Sequence, residues 1–222
     1  MTDDATTATA PTTSGTARTP ADAWAQLRAG NARFIAGAPQ HPRQDAERRA
    51  SLAGAQNPVA TIFGCSDSRL SAEIIFDLGL GDAFVVRNAG QVISPSVLGS
   101  VEYAVAVLEV PLLVVLGHDS CGAVRAAIES TGPEAPRLPP HIADLIAPIV
   151  PAVRRVAGDA VDPSTADPTE VGREHLHDTV TELLRRSELV AQAVADGRLA
   201  IVGANYRLSN GTVAPDLIVG TV

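Results

Sequence analysis

Val59-Ala60-Thr61-Ile62-Phe63-Gly64 is an uncharged run, β-branched at three of its six positions and closed by glycine, and Leu112-Leu113-Val114-Val115-Leu116 repeats its character further along. Runs this short, apolar at successive rather than alternate positions, fit strands buried on both faces of a parallel sheet. Residues 83–86 and 199–203 have the same look. Between the four runs lie segments with helical spacing: a short one at 71–77, a longer one at 95–109, and a helical region over 122–195. Glycines and prolines interrupt that last region at 132–140 and 158–168, leaving 170–195 as the longest candidate helix. Strand, crossover and strand in this order predict an α/β fold around a central, mostly parallel sheet of four strands, flanked by helices. Ser209-Asn210-Gly211 marks a hairpin, so residues 212–218 are expected as an antiparallel strand at the sheet edge.

Upstream of the first strand, Thr19 followed by Pro20 reads as a helix cap with proline in the first turn. Trp24, Leu27, Asn31 and Phe34 then recur at helical spacing until Gly37. The stripe either packs on its own domain or docks on another subunit. A polar stretch after it admits a short helix over 44–52. Residues 1–18 are Thr, Ala, Ser, Gly and Pro with little apolar beyond alanine, the composition of a disordered tail. The organisation expected is therefore a tail, 1–18, and one α/β domain, 19–222, that begins with a helical arm.

The 222 residues carry 17 basic and 25 acidic side chains, a net charge of −8, and all 17 basic residues are arginine. That balance argues against binding to nucleic acid or to an anionic membrane surface. Two cysteines make no disulfide framework, no apolar run is long enough to span a membrane, and Met1-Thr2-Asp3-Asp4 lacks the basic start of a signal peptide. A cytoplasmic protein is expected.

Both cysteines follow buried strands. Cys65-Ser66-Asp67-Ser68-Arg69 stands after the first run, and Gly117-His118-Asp119-Ser120-Cys121-Gly122 after the third. Ligands bind at the carboxyl ends of strands in open parallel sheets. Two thiols, an imidazole and a carboxylate there suit zinc. From spacing alone, His-x-x-Cys is a weak signal, and buried cysteines that merely fill a core, or a redox pair, remain open.

The two motifs together resemble the paired signature of the β-class carbonic anhydrases, plant-like subgroup, and most of all its actinobacterial members. Phe84-Val85-Val86-Arg87-Asn88-Ala89-Gly90 and Ser100-Val101-Glu102-Tyr103-Ala104 look like that family too, and the similarity runs from the first helix to the C-terminus. The resemblance implies one zinc ion per subunit held by Cys65, His118 and Cys121. It implies that Asp67 either takes the fourth zinc position or swings to pair with Arg69. Gln56, nine positions before Cys65, falls where a glutamine helps hold bicarbonate, Phe84 and Tyr103 match aromatic residues of the substrate pocket, and Gly122 closes the second motif beside it. Ala89 replaces a branched aliphatic residue and is expected to loosen the CO2 pocket. Ile62 stands where the bicarbonate-inhibited subgroup has tryptophan, so that inhibitory site is not expected.

The activity implied is reversible hydration of CO2 to bicarbonate and a proton. Zinc polarises a bound water and supplies hydroxide that attacks the carbon, and Asp67, restrained by Arg69, would orient that hydroxide. Two thiolates and a neutral imidazole cancel the charge of zinc, so alkaline pH should favour turnover. A homodimer or a dimer-based tetramer is expected, the first helix reaching across and Gln56, Phe84 or Tyr103 completing the neighbour's pocket. The rival activities are hydrolysis of carbon disulfide or carbonyl sulfide at the same metal, and a zinc-stabilised binding domain without catalysis; Asp67, Arg69, Gln56 and Tyr103 together argue against the latter. His41 and His141, each beside a proline, are expected in exposed loops. With His175 and His177 they are candidates for passing protons to buffer, and nothing in the sequence selects one.

Overall fold

The computed structural model describes residues 19–159 and 162–222, so the expected tail over 1–18 lies outside the described residues. In chain order the elements are α1 (Pro20–Ile35), α2 (Ala46–Ser51), β1 (Ala60–Cys65), α3 (Ala72–Ile75), β2 (Ala83–Asn88), α4 (Pro95–Ala106), β3 (Leu112–His118), α5 (Gly122–Glu129), α6 (Pro140–Ile146), α7 (Val150–Ala157), α8 (Pro168–Arg186), α9 (Glu188–Ala195), β4 (Ala200–Tyr206) and β5 (Val213–Val219). The sheet order is β2-β1-β3-β4-β5. The first four strands are parallel and β5 pairs antiparallel with β4, as the strand runs and the hairpin signal predict.

Alternation along the strands divides the core into two layers. Ile62, Val114 and Val202 face one layer, closed by α1, α3, α5 and α7, while Phe63, Leu113, Val115 and Ile201 face the other, closed by α4, α8 and α9. With both faces covered, β1 and β3 have no solvent side, which is why their sequences carry no polar alternation.

Thr19 and Asp22 form a reciprocal capping box at the start of α1, with Pro20 in the first turn. Trp24, Leu27 and Asn31 are buried within their own chain. The stripe is therefore spent in cis, against the expectation that it reaches across to a partner. Gly30 allows the close docking: a Cβ there would sit 1.8 Å from the Phe76 carbonyl oxygen. Asn31 ties α1 to two distant segments, donating to the Ile75 and Gly211 carbonyls and accepting from the Val213 amide.

Two expectations need correction. The helix expected over 170–195 is two helices, because Ser187 leaves the helical conformation, caps α9 through the Val190 amide and donates to Glu102 at 2.6 Å. His141 is exposed but lies in α6 rather than in a loop, since Pro140 supplies the first helical position. Among the described residues no helix is long and apolar enough to cross a membrane.

Candidate metal centre

The register that pairs Gly64 of β1 with Leu116 of β3 brings Cys65 and His118, the last residues of those strands, to one end of the sheet. Ser120, at a left-handed φ of 52°, then turns the chain so that Cys121 caps α5. Asp119 anchors this turn, its amide donating to Tyr206 O and its carboxylate accepting from the Leu208 amide at 3.0 Å. The ligand atoms of Cys65, His118 and Cys121 lie within 4.8 Å of one another, all buried.

The donor set fits a soft dication. His118 Nδ1 lies 2.8 Å from the Asp119 carbonyl, which can only accept, so Nδ1 carries the proton and Nε2 offers its lone pair. That Nε2 is buried without a hydrogen-bond partner. Cys65 bears the charge of the thiol pair: Cys121 donates to it and, against burial, the neighbouring His118 imidazole and then the Gly90 and Asp67 amides assist, drawing its pKa down to about 4. Cys121 is pushed up, its proton held toward Cys65 and its surroundings dry. A metal cation is what would let both sulfurs ionise together and give Nε2 a partner.

Asp67 and Arg69 stand beside the cluster, paired with each other. Arg69 Nε donates to Oδ1 at 2.9 Å and Nη2 to Oδ2 at 2.7 Å, and the Arg69 amide also donates to Oδ1 at 2.9 Å. The guanidinium, opposed by partial burial, holds the Asp67 carboxyl well below the usual carboxylate range. Of the two positions expected for Asp67, this is the swung one.

Arg87 received no role from the sequence. Its Nε donates to the Cys65 carbonyl at 3.0 Å and its Nη2 to the Asp67 carbonyl at 2.7 Å, so one side chain on β2 braces the backbone of the whole Cys65-Ser66-Asp67 turn. Its signs in the sequence were its position at the end of an apolar strand and its place in the family-like segment 84–90.

The pocket residues divide. Ala89 and Gly122 are exposed near this end of the sheet, and a Cβ at Gly122 would meet nothing within 4 Å. Gln56 and Tyr103 share a hollow of 550 Å³ with Leu52 and Leu108, and the Tyr103 ring lies 6.1 Å from that of Phe84. Phe84 is paired with Thr61, whereas Cys65 is paired with Asn88. Four strand positions, about 13 Å, separate that aromatic group from the ligand end of its own sheet. Of the histidines offered as proton carriers, His41, His141 and His177 reach the surface, but His175 is only 2% exposed and is removed from that list.

A family model described as carbonic anhydrase matches residues 60–213. Carbonic anhydrase 2 of Mycobacterium tuberculosis is 51% identical over 193 residues, covering 86% of this chain and 90% of that protein. A carbonic anhydrase of Mycolicibacterium smegmatis is 51% identical over 195 residues, covering 87% and 92%. Among solved structures, a tetrameric β-carbonic anhydrase of the ascomycete Sordaria macrospora matches with a TM-score of 0.63 at 27% identity, over 75% of this chain and 84% of that one.

Proposed function

This chain belongs to the β-class carbonic anhydrases, and from that premise we propose that it interconverts CO2 and bicarbonate at a zinc ion held by Cys65, His118 and Cys121, with Asp67 and Arg69 positioning the nucleophile. The observation that carries the reading is the buried, unpartnered His118 Nε2 within 4.8 Å of two cysteine sulfurs. Zinc supplies the Lewis acidity that makes a water oxygen strongly nucleophilic near neutral pH.

The chain's own residues do the rest. Asp67 accepts a hydrogen bond from the nucleophile's remaining O–H, which turns a lone pair toward the carbon of CO2. Arg69 donates to both carboxylate oxygens, keeping Asp67 ionised and paired rather than free to reach the ligand cluster. One C–O bond forms, and one proton leaves to solvent for each bicarbonate made. Arg87 holds the Asp67 backbone so that this geometry survives turnover. Gly122 leaves open space beside Cys121, and Ala89, next to Gly90, is exposed. Stopped-flow CO2 hydration by the zinc-loaded protein, abolished by chelation and restored by zinc, is the expected result; turnover untouched by complete removal of the metal would contradict it.

We further place Gln56, Phe84 and Tyr103 in the pocket of a second copy. What supports this is the distance between Phe84 and its own ligand end, together with the edge position of β2 and the exposed Tyr103 ring beside Phe84. The assembly is a homodimer or a tetramer built from dimers. Light scattering should give at least twice the chain mass at micromolar concentration, and an active monomer would rule the arrangement out.

A further inference from the structure

His175 is nearly fully buried, belongs to neither the metal ligands nor the substrate pocket, and makes one hydrogen bond, from Nε2 to the Gly90 carbonyl at 2.7 Å. A carbonyl only accepts, so Nε2 carries the hydrogen, and the orphaned Nδ1 on the other side of the ring is bare. Burial lowers the pKa of the imidazole, against the opposing pull of the Gly90 carbonyl and the Asp178 carboxylate. His175 is thus a fixed, neutral donor.

Its acceptor is the residue that touches the metal cluster from behind. Gly90 donates its amide to Cys65 Sγ at 3.3 Å. The turn it occupies is under close control: φ is +79°, and a Cβ would lie 2.7 Å from that of Ala123 and 3.2 Å from Ile149 Cδ1. Asn88 brackets the same turn with two bonds to the Val92 backbone, 2.8 and 2.7 Å. Thr179, one helical turn beyond His175, donates its hydroxyl back to the His175 carbonyl at 2.8 Å and stands 3.4 Å from the Gln91 carbonyl. Asn88 fixes the ends of the turn, and α8 fixes its middle.

We propose that His175 is a positioning residue for the metal centre: by holding the Gly90 carbonyl it aims the Gly90 amide at the Cys65 sulfur and so sets how much charge that sulfur gives to the zinc. An N–H directed at a thiolate withdraws electron density from it, which leaves the metal more acidic; a partner behind a ligand commonly changes metal affinity by about 10–100-fold. The inference rests on the metal assignment above, and the test separates the two.

The first measurement uses the unsubstituted protein loaded with cadmium-113, in which the Gly90 amide proton should show scalar coupling to the metal through the N–H···S bond. Absence of that coupling in protein that binds cadmium stoichiometrically would overturn the inference, whereas failure to bind cadmium or zinc at all would overturn the metal assignment instead. The second compares His175→Leu with His175→Gln, whose amide nitrogen can stand near the position of Nε2. His175→Leu should weaken zinc binding about 10-fold or more in chelator competition and shift the thiolate-to-cobalt charge-transfer band of the cobalt form, and His175→Gln should restore both. Leu176→Ala, a destabilising change facing the other core layer, should lower thermal stability without moving the band. A folded His175→Leu with wild-type zinc affinity and an unshifted cobalt spectrum would end the proposal. If that variant does not fold, His175→Phe, which also lacks the donor, is read by the same cadmium coupling, and an undiminished Gly90 coupling there would end the proposal.

Discussion

Arg87 holds the backbone of Cys65 from the neighbouring strand, its guanidinium Nε 3.0 Å from the Cys65 carbonyl oxygen while Nη2 reaches the Asp67 carbonyl. A metal ligand and the carboxylate two residues later are thereby set by one side chain that touches neither sulfur nor carboxylate. Arg87→Ala should lower kcat by about 10-fold or more while zinc content stays near one per chain. Arg87→Lys should not rescue it, since an ammonium cannot bridge two carbonyls as the planar fork does. Hydration kinetics paired with metal analysis check this, and full activity in Arg87→Ala would show the brace to be dispensable.

Loss of a ligand should be harsher. Cys65→Ser, His118→Ala and Cys121→Ser each remove one of the three donors, and zinc affinity should fall by more than the roughly 10–100-fold that an outer partner costs. Chelation of the wild type should lower its thermal midpoint, because the ion binds the folded chain preferentially. Three variants that retain stoichiometric zinc after dialysis would refute the ligand set.

Asp67→Asn and Arg69→Ala test the pair beside the cluster. Both should keep zinc. Asp67→Asn loses the charged acceptor that turns the nucleophile, and kcat should drop on the order of 100-fold. In Arg69→Ala the carboxylate is released from its fork and free to approach the ligand cluster, so activity should fall more at the acidic end of the range than at pH 9. Wild-type rates in Asp67→Asn across pH 7 to 9 would make the pair structural only.

Asp77 supplies a pH test far from the metal. Its side chain is 1% exposed and accepts from Arg33 Nε at 2.6 Å and from the amides of Gln40 and His41. Burial raises its pKa, but the Gln40 amide, Arg33 and the His41 amide more than offset this and leave it below the ordinary 3.8. A carboxyl depressed in the folded state contributes stability above its unfolded pKa and loses that contribution as pH falls through the folded value. Asp77→Asn should therefore lower the urea midpoint at pH 7, by the equivalent of about 1.5 kcal/mol for weakened hydrogen bonds to a charged group whose arginine partner is partly exposed, and lose less further stability between pH 5 and 3 than the wild type does. Parallel midpoints over that interval would show that Asp77 titrates alike in both states.

Much of this was legible in the sequence, for identifiable reasons. Strands buried on both faces have to be apolar at successive positions, so β1 and β3 announced themselves, and the parallel order placed Cys65 and His118 at a common end. What stayed hidden depends on which partner a side chain meets. Ser187 reads as one more polar residue in a helical pattern until Glu102, 85 positions earlier, is seen to accept its hydroxyl. His175 and His177 are two apart and face opposite ways, but only the row Val171, His175 and Thr179, all buried on α8, tells which of the two histidines turns inward. Arg87 looked like the charged end of a strand, because its acceptors are backbone carbonyls, which every sequence has.

Asn31 binds Gly211 and Val213 across separations of 180 and 182 residues. A ribosome adding about 5–20 residues per second brings those partners out roughly 10–40 seconds after Asn31 itself. Cys65, His118 and Cys121 all emerge within that interval. The first helix can thus dock on Ile75 and Phe76 early, but two of the three side-chain bonds of Asn31 close only after a nascent chain has its complete set of metal ligands in hand.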